Sequence, residues 1–115
     1  MIINILDAHF LKYGEKDFKN QDIHFYPNTL KMNIESDVIS YYMKASEDLF
    51  IYPIQGKNLL VITTDINQMP EVYEFNQALK INRNMYFNFI SRKGIGVVAL
   101  NIASSCIIEN VSLCR

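Results

Sequence analysis

The feature that most constrains the fold is a pair of apolar segments separated by a short polar turn. LFIYPI (residues 49–54) and LLVITT (residues 59–64) flank the sequence QGKN. Short runs rich in Ile, Val and Tyr are typical of β-strands, and glycine readily adopts the backbone dihedrals of a tight turn. We therefore predict a β-hairpin. Pro53 cannot donate a ladder hydrogen bond, which predicts an edge strand or a bulge there.

Further strand patterns occur on both sides of this predicted hairpin. Each is short, apolar or alternating, and bounded by residues that favour turns. The last three, with SRKG as the turn between the first two of them, predict a C-terminal three-stranded meander. The strand-like segments are IINIL (2–6), TLKMNI (29–34), MYFNFI (85–90), IGVVALNIA (95–103) and CIIENVSL (106–113).

Residues 37–46 have the pattern of a short amphipathic helix. Ser36 is a favourable N-cap, and Asp37 suits the positive end of a helix dipole. The apolar side chains at Val38, Ile39, Tyr42 and Met43 recur at spacings of three and four, which would place them on one face. The segment therefore predicts a helix.

Residues 70–80 predict a second helix. Pro70 is tolerated at a first helical position, because the amide there has no partner within the helix. Val72, Phe75 and Leu79 follow at spacings of three and four, as expected for a buried stripe. Together these segments predict an α+β fold, with two short helices on a mostly antiparallel, strongly curled sheet or, alternatively, a partial barrel. The length of 115 residues is that of a single domain, residues 1–115.

Composition narrows the function classes. The formal net charge is -1, whereas nonspecific binding to nucleic acid or acidic membranes needs a basic field. No apolar stretch reaches the length of a membrane span, and no motif for a cofactor or metal is present. Two cysteines near the C-terminus are expected as free thiols, which suggests a cytoplasmic protein. The richness in Ile and Asn fits an AT-rich genome such as that of a phage or mobile element.

The two histidines occur in similar tetrapeptides, DAHF and DIHF. Asp7 precedes His9, and Asp22 precedes His24, each by two residues, so each pair shares a face if the segments are strands. Paired as a hairpin, the four side chains would form a polar square. A carboxylate beside an imidazole raises its basicity, as general bases and metal ligands require. This predicts, as an alternative, a small hydrolase or nuclease; residues 7–13 also fit a helix, which would separate the pairs.

The remaining candidate residues are aromatic and acidic. Tyrosine is enriched at protein interfaces because it buries a large area and keeps a polar tip. Grouped carboxylates suit a basic partner. We therefore predict a protein-binding or inhibitory protein that covers its partner's surface, as an immunity protein, antitoxin, phage-encoded inhibitor or regulatory adaptor does. The predicted contact residues are Tyr41, Asp48, Tyr52, Glu71, Tyr73 and Glu74.

We therefore expect a protein without catalytic activity rather than an enzyme. We expect no cofactor, and the sequence does not decide whether the protein forms a homo-oligomer. A weaker alternative is a binder of single-stranded nucleic acid that stacks bases on exposed aromatic rings of a curled sheet. The near-neutral charge counts against that alternative.

Overall fold

The computed structural model describes residues 28–113, which form nine β-strands and no helix. Every strand is short, between three and seven residues, and all pairings among them are antiparallel. The strands are β1 (Asn28–Ile34), β2 (Tyr41–Ala45), β3 (Leu49–Gln55), β4 (Asn58–Thr63), β5 (Glu71–Glu74), β6 (Leu79–Ile81), β7 (Tyr86–Ser91), β8 (Gly96–Ile102) and β9 (Ile108–Ser112).

The strands form two open sheets. One has four strands in the order β1-β8-β3-β6, and the other has five in the order β5-β4-β7-β2-β9. Four of the pairings are nested: β1 with β8, β2 with β7, β3 with β6, and β4 with β5. Eight strands therefore behave as one long hairpin rolled over into two layers, which is the jelly-roll arrangement, and β9 extends the five-stranded sheet.

This architecture corrects the predicted fold class. The described chain is all-β rather than α+β, and its sheets are open layers rather than one strongly curled sheet or a partial barrel. Neither predicted helix is present: residues 37–46 contain β2, and residues 70–80 contain β5, a connection and the start of β6. The inner faces of the two sheets, meaning the faces turned toward each other, enclose one apolar cluster. Its fully buried members include Leu49, Ile51, Phe87, Val98 and Leu100.

The predicted helix over 37–46 is wrong because Tyr42 and Met43 lie on one strand and face opposite sides of it, and Val38 and Ile39 precede that strand. Met43 belongs to the cluster between the sheets, whereas Tyr42 belongs to a second cluster on the outer face of the five-stranded sheet. A strand buried on both faces has consecutive apolar residues, and over a few positions that pattern also fits a helical stripe. The run of two tyrosines before Met43 favours the strand.

The predicted helix over 70–80 is wrong for a different reason. Its apolar residues belong to three separate places: Val72 lies exposed on β5, Phe75 lies in the following connection, and Leu79 begins β6 in the other sheet. Their helical spacing is coincidental. The polar pair Asn76-Gln77 lies where the chain crosses between the sheets.

The strands of the predicted hairpin exist, but they do not pair with each other. β3 lies in the four-stranded sheet and β4 in the five-stranded sheet. Gly56 has a positive φ of 83°, as the predicted turn requires, yet the turn is a corner between layers. All six residues of β4 are buried, and a strand buried on both faces needs a layer on each side rather than a solvent-facing hairpin.

Pro53 shows why the first of these strands bends. The register of β3 against β8 shifts between Pro53 and Gln55, as the predicted bulge requires. β3 is a central strand rather than an edge strand, but its pairing with β6 ends at Ile51. Pro53 thus lies beyond the end of that ladder, next to the register shift, and interrupts no pairing with β6.

The predicted C-terminal meander has correct strands and wrong partners. β7 and β9 lie in the five-stranded sheet, and β8 lies in the other. The turn between β7 and β8 is present as predicted, with Gly94 at a positive φ of 71°. The predicted strand at 2–6 lies outside the described residues. No helix within 28–113 is long and apolar enough to cross a membrane.

Candidate protein-binding edge

The candidate site is centred on β5, the short edge strand of the five-stranded sheet. All four of its residues are exposed, and among residues 28–113 it pairs with β4 alone. Tyr73 lies opposite Leu60, and Glu71 lies opposite Ile62. Because Leu60 and Ile62 belong to the cluster between the sheets, Glu71 and Tyr73 point to the inner face. Val72 and Glu74 therefore point to the outer face.

Among the strands formed by residues 28–113, none lies beside the outer side of the β5 backbone. The Phe75 N–H donates to the Asn58 carbonyl at 3.4 Å. In an antiparallel ladder, residues alternate between bonding to the neighbouring strand and facing away from it. Tyr73 and Glu71 are therefore bonded to β4, and the N–H and C=O groups of Val72 and Glu74 face away. An incoming strand finds its hydrogen-bonding partners at these two residues.

A pocket of about 420 Å³ opens beside this edge, between the ends of the two sheets. Its apolar wall comes from both layers, namely the inner face of β4 and the start of β6, together with the residues that lead into and out of β6. Its rim carries carboxylates, a phenol, two amides and an amine. The lining residues are Leu60, Ile62, Glu71, Tyr73, Glu74, Phe75, Asn76, Gln77, Leu79, Lys80 and Met85.

Two weak ion pairs flank the pocket. Lys57 Nζ lies 3.8 Å from Glu74 Oε2, and Lys80 Nζ lies 3.6 Å from Asp48 Oδ2. The side chains of Lys57 and Glu74 are more than half exposed, and exposed ion pairs of this kind add at most about 1 kcal/mol to the free energy of unfolding. Among residues 28–113, no lysine or arginine forms an ion pair with Glu71. A basic ligand could therefore bind the carboxylates at this edge with little loss of free energy from the ion pair that it displaces.

Glu71 and Tyr73 interact with each other on the inner face. The Tyr73 hydroxyl is hydrogen-bonded to the Glu71 side chain, and this bond is the main cause that raises the pKa of Tyr73 above its ordinary value of 10.0. Desolvation and the negative charge of Glu71 act in the same direction. The phenol is therefore held as a hydrogen-bond donor at the mouth of the pocket.

We expect the substitution Glu71→Gln to lower the pKa of Tyr73 toward its ordinary value, because a neutral amide accepts the hydrogen bond of the phenol more weakly than a carboxylate and also lacks the negative charge that opposes ionisation. The measurement is the tyrosinate absorbance as a function of pH, with the curve of a Tyr73→Phe variant subtracted. Glu74→Gln is the control, since Glu74 does not contribute to the shift and should leave it in place. Equal titration curves for the two variants would contradict the assignment.

The structure brings half of the predicted contact residues together. Glu71, Tyr73 and Glu74 occupy one exposed strand and line one pocket. Asp48 does not line the pocket, but it forms an ion pair with Lys80, which does. Its Oδ1 also accepts a hydrogen bond from the Arg83 N–H at 2.7 Å. Asp48 therefore holds the connection between β6 and β7 in place.

The two other predicted contact residues lie elsewhere. Tyr52 is 1% exposed, so its side chain offers almost no surface to a partner. Tyr41 is half-buried on β2, where it packs against the cluster between the sheets. In the order β5-β4-β7-β2, it is three strand spacings from the edge, about 14 Å. Neither residue belongs to the β5 site.

Several residues of this site were not predicted from the sequence. The helical spacing predicts that Val72 is buried, yet 48% of its surface is exposed and its amide faces outward. Leu79 and Met85 carry no local signal for a pocket, because the pocket forms only where two sheets end side by side. The short segment Glu-Val-Tyr-Glu, in which two strand-forming residues lie between carboxylates, is the one sequence signal that could have indicated an edge strand.

The residues of the alternative catalytic prediction, Asp7, His9, Asp22 and His24, lie outside the described residues. Within residues 28–113, no group of three or more His, Cys, Asp or Glu side chains is placed to hold a metal ion. Cys106 is a free, partly buried thiol that packs against the core, as expected for a reduced cysteine.

Comparisons with known proteins extend to the fold alone. The hydroxypropylphosphonic acid epoxidase from S. wedmorenis is similar over 64% of this chain, with a TM-score of 0.51 and 12% sequence identity. This chain covers only 42% of that protein. The protein NMB1881 from Neisseria meningitidis matches over 90% of this chain and 100% of its own length, with a TM-score of 0.41 and 9% identity. No family model matches, and no curated protein shows significant sequence similarity.

Proposed function

We propose that this protein binds another protein, by accepting an extended segment of the partner alongside β5, and acts by covering the partner's surface. The observation that carries the proposal is the outward-facing backbone of Val72 and Glu74 on an edge strand whose four residues are all at least partly exposed. Proteins recognise extended segments in this way, with main-chain hydrogen bonds supplying affinity. An immunity protein, antitoxin or other inhibitor would use such an edge to block its target.

The charges of β5 support a partner other than a second copy. Two copies joined through this edge would place four glutamates, Glu71 and Glu74 of each, along one short seam. Like charges at close range across a ladder are destabilising. Edge charges of this kind are a known device against self-association, and the same charges favour a partner that is basic.

We expect the substitution Val72→Pro to abolish capture of the partner, because proline has no N–H at the position where β5 would donate to the added strand. The fold should persist, since the lost amide faces away from β4. The measurement is affinity capture from the native host, with the bound protein quantified by mass spectrometry and folding checked by circular dichroism.

Asn110→Pro is the matched control. Leu113 N–H donates to the Ser40 carbonyl, so the amide of Asn110 faces away from β2 by the same alternation, at the opposite edge of the same sheet. This variant should retain the partner. Equal recovery of the partner by both proline variants would show that β5 is not the contact.

A further inference from the structure

The pocket beside β5 lies where it can bind a side chain of a strand that pairs with β5. A strand that extends the five-stranded sheet beyond β5 directs alternate side chains to the inner face, on the same side as Glu71 and Tyr73. That side leads to the pocket between the sheet ends. An inner-facing side chain opposite Tyr73 therefore points toward its mouth.

The wall of the pocket selects for an apolar side chain. Leu60, Ile62 and Phe75 are buried members of the core cluster, and Leu79 and Met85 pack against that cluster. The volume of about 420 Å³ is at the lower end of the range for small-molecule pockets, roughly 300–1,000 Å³, and thus admits any single large side chain. Burial of a leucine or phenylalanine there removes apolar surface from water on both partners.

The rim selects for positive charge next to that apolar residue. Glu71 lies two positions from Tyr73 on the same face, so it meets the inner-facing side chain two positions away in the added strand. Its carboxylate accepts the hydrogen bond of the Tyr73 hydroxyl and forms no ion pair with a lysine or arginine among residues 28–113. A lysine or arginine at that position would pair with it, close to an apolar surface where the charge pair is less screened by water.

We infer that the partner segment is an extended, basic peptide in which a large apolar residue and a lysine or arginine stand two positions apart. The apolar side chain fills the pocket, and the basic side chain pairs with Glu71. This inference rests on the proposed function, since it names the chemistry of the strand that β5 accepts. It goes further by assigning the specificity to a pocket formed by both sheets.

The test uses short peptides with blocked termini and isothermal titration calorimetry. The parent peptide is Thr-Lys-Thr-Leu-Thr-Lys-Thr, which places a basic residue two positions from leucine in either orientation. Replacing its leucine by alanine should weaken binding by about tenfold or more, since the buried side chain is lost. Replacing both lysines by glutamate should weaken binding by about tenfold or more at low salt.

Two protein variants assign these effects to their residues. Met85→Gln places a polar group in the pocket wall, so it should weaken the leucine peptide and leave the alanine peptide unchanged. Glu71→Lys should reverse the preference, so that the glutamate peptide binds more tightly than the lysine peptide. Asn110→Pro, at the opposite edge of the sheet, should bind all peptides as the unmodified protein does.

The outcomes separate this inference from the proposed function. If peptides bind and Val72→Pro abolishes binding, but the leucine and alanine peptides bind equally well, the pocket does not read the partner and the inference fails while the proposed function stands. Failure of every peptide to bind also overturns the inference. If Val72→Pro binds peptide as well as the unmodified protein, strand addition at β5 is wrong and the proposed function fails with it. Binding of free octylamine, with no peptide bound, would reassign the pocket to a small amphipathic amine.

Discussion

The substitution Phe87→Ala should reduce the free energy of unfolding by about 3–5 kcal/mol, the range for removing a fully buried aromatic side chain. Phe87 is 0% exposed. It lies on the central strand β7, between Met43 of β2 and Ile62 of β4. Its ring meets that of Phe89 edge-on, with centroids 5.9 Å apart. The substitution removes both apolar burial and this ring contact, and leaves a cavity between the sheets.

Urea denaturation followed by far-ultraviolet circular dichroism measures the effect, because the chain contains no tryptophan. Tyr73→Ala is the control, as it removes an aromatic ring that is 47% exposed on β5. Exposed sites of this kind change stability by about 0.5 kcal/mol or less. A loss of less than about 1 kcal/mol for Phe87→Ala would show that the two inner faces do not pack as one core.

The location of six of the nine strands within residues 28–113 could be predicted from the sequence, because strand formation depends largely on local residue type; the segments that form β2, β5 and β6 instead matched helical patterns. The runs around Leu49–Gln55, Asn58–Thr63 and Gly96–Ile102 are apolar and rich in β-branched residues, and all three are strands. Glycines 56 and 94 mark turns, and both have positive φ. These features require only that neighbours in sequence interact.

The pairing of the strands could not be predicted from local patterns. A short turn such as the one at Gly56 can join two neighbouring strands of the same sheet as a hairpin, or it can join strands of two different sheets at a corner. The choice depends on whether both faces of each strand find an apolar layer. β4 has no exposed residue, but its apolar sequence is compatible with both a hairpin within one sheet and a corner between two sheets. Non-local burial therefore decides the topology.

The same limit applies to the candidate site. The acidic and aromatic side chains of Glu71, Tyr73 and Glu74 could be selected from the sequence as surface residues suited to an interface. Their placement on an edge strand could not, because the segment also matches a helix. The outward direction of the Val72 amide follows from the register of β5 on β4, which only the assembled sheet fixes.

The corner at Gly56 links this topology to a second large expected effect. At this corner the chain passes from β3 in one sheet to β4 in the other, and it meets the turn between β7 and β8. A Cβ atom on Gly56 would lie 2.7 Å from the Ile95 carbonyl oxygen and 2.9 Å from Gly96 Cα. Both neighbours are backbone atoms, so neither can move aside as a flexible side chain would.

We expect Gly56→Ala to be considerably more destabilising than Gly94→Ala. Gly94 also has a positive φ, but a Cβ there would meet no atom within 4 Å. Its substitution should therefore show only the cost of a left-handed conformation, about 1–2 kcal/mol. Gly56→Ala should add about 1–3 kcal/mol for the collision. Urea denaturation of both variants gives the difference directly. Equal losses would mean that the two crossing turns separate without cost, and that the corner does not hold the sheets together.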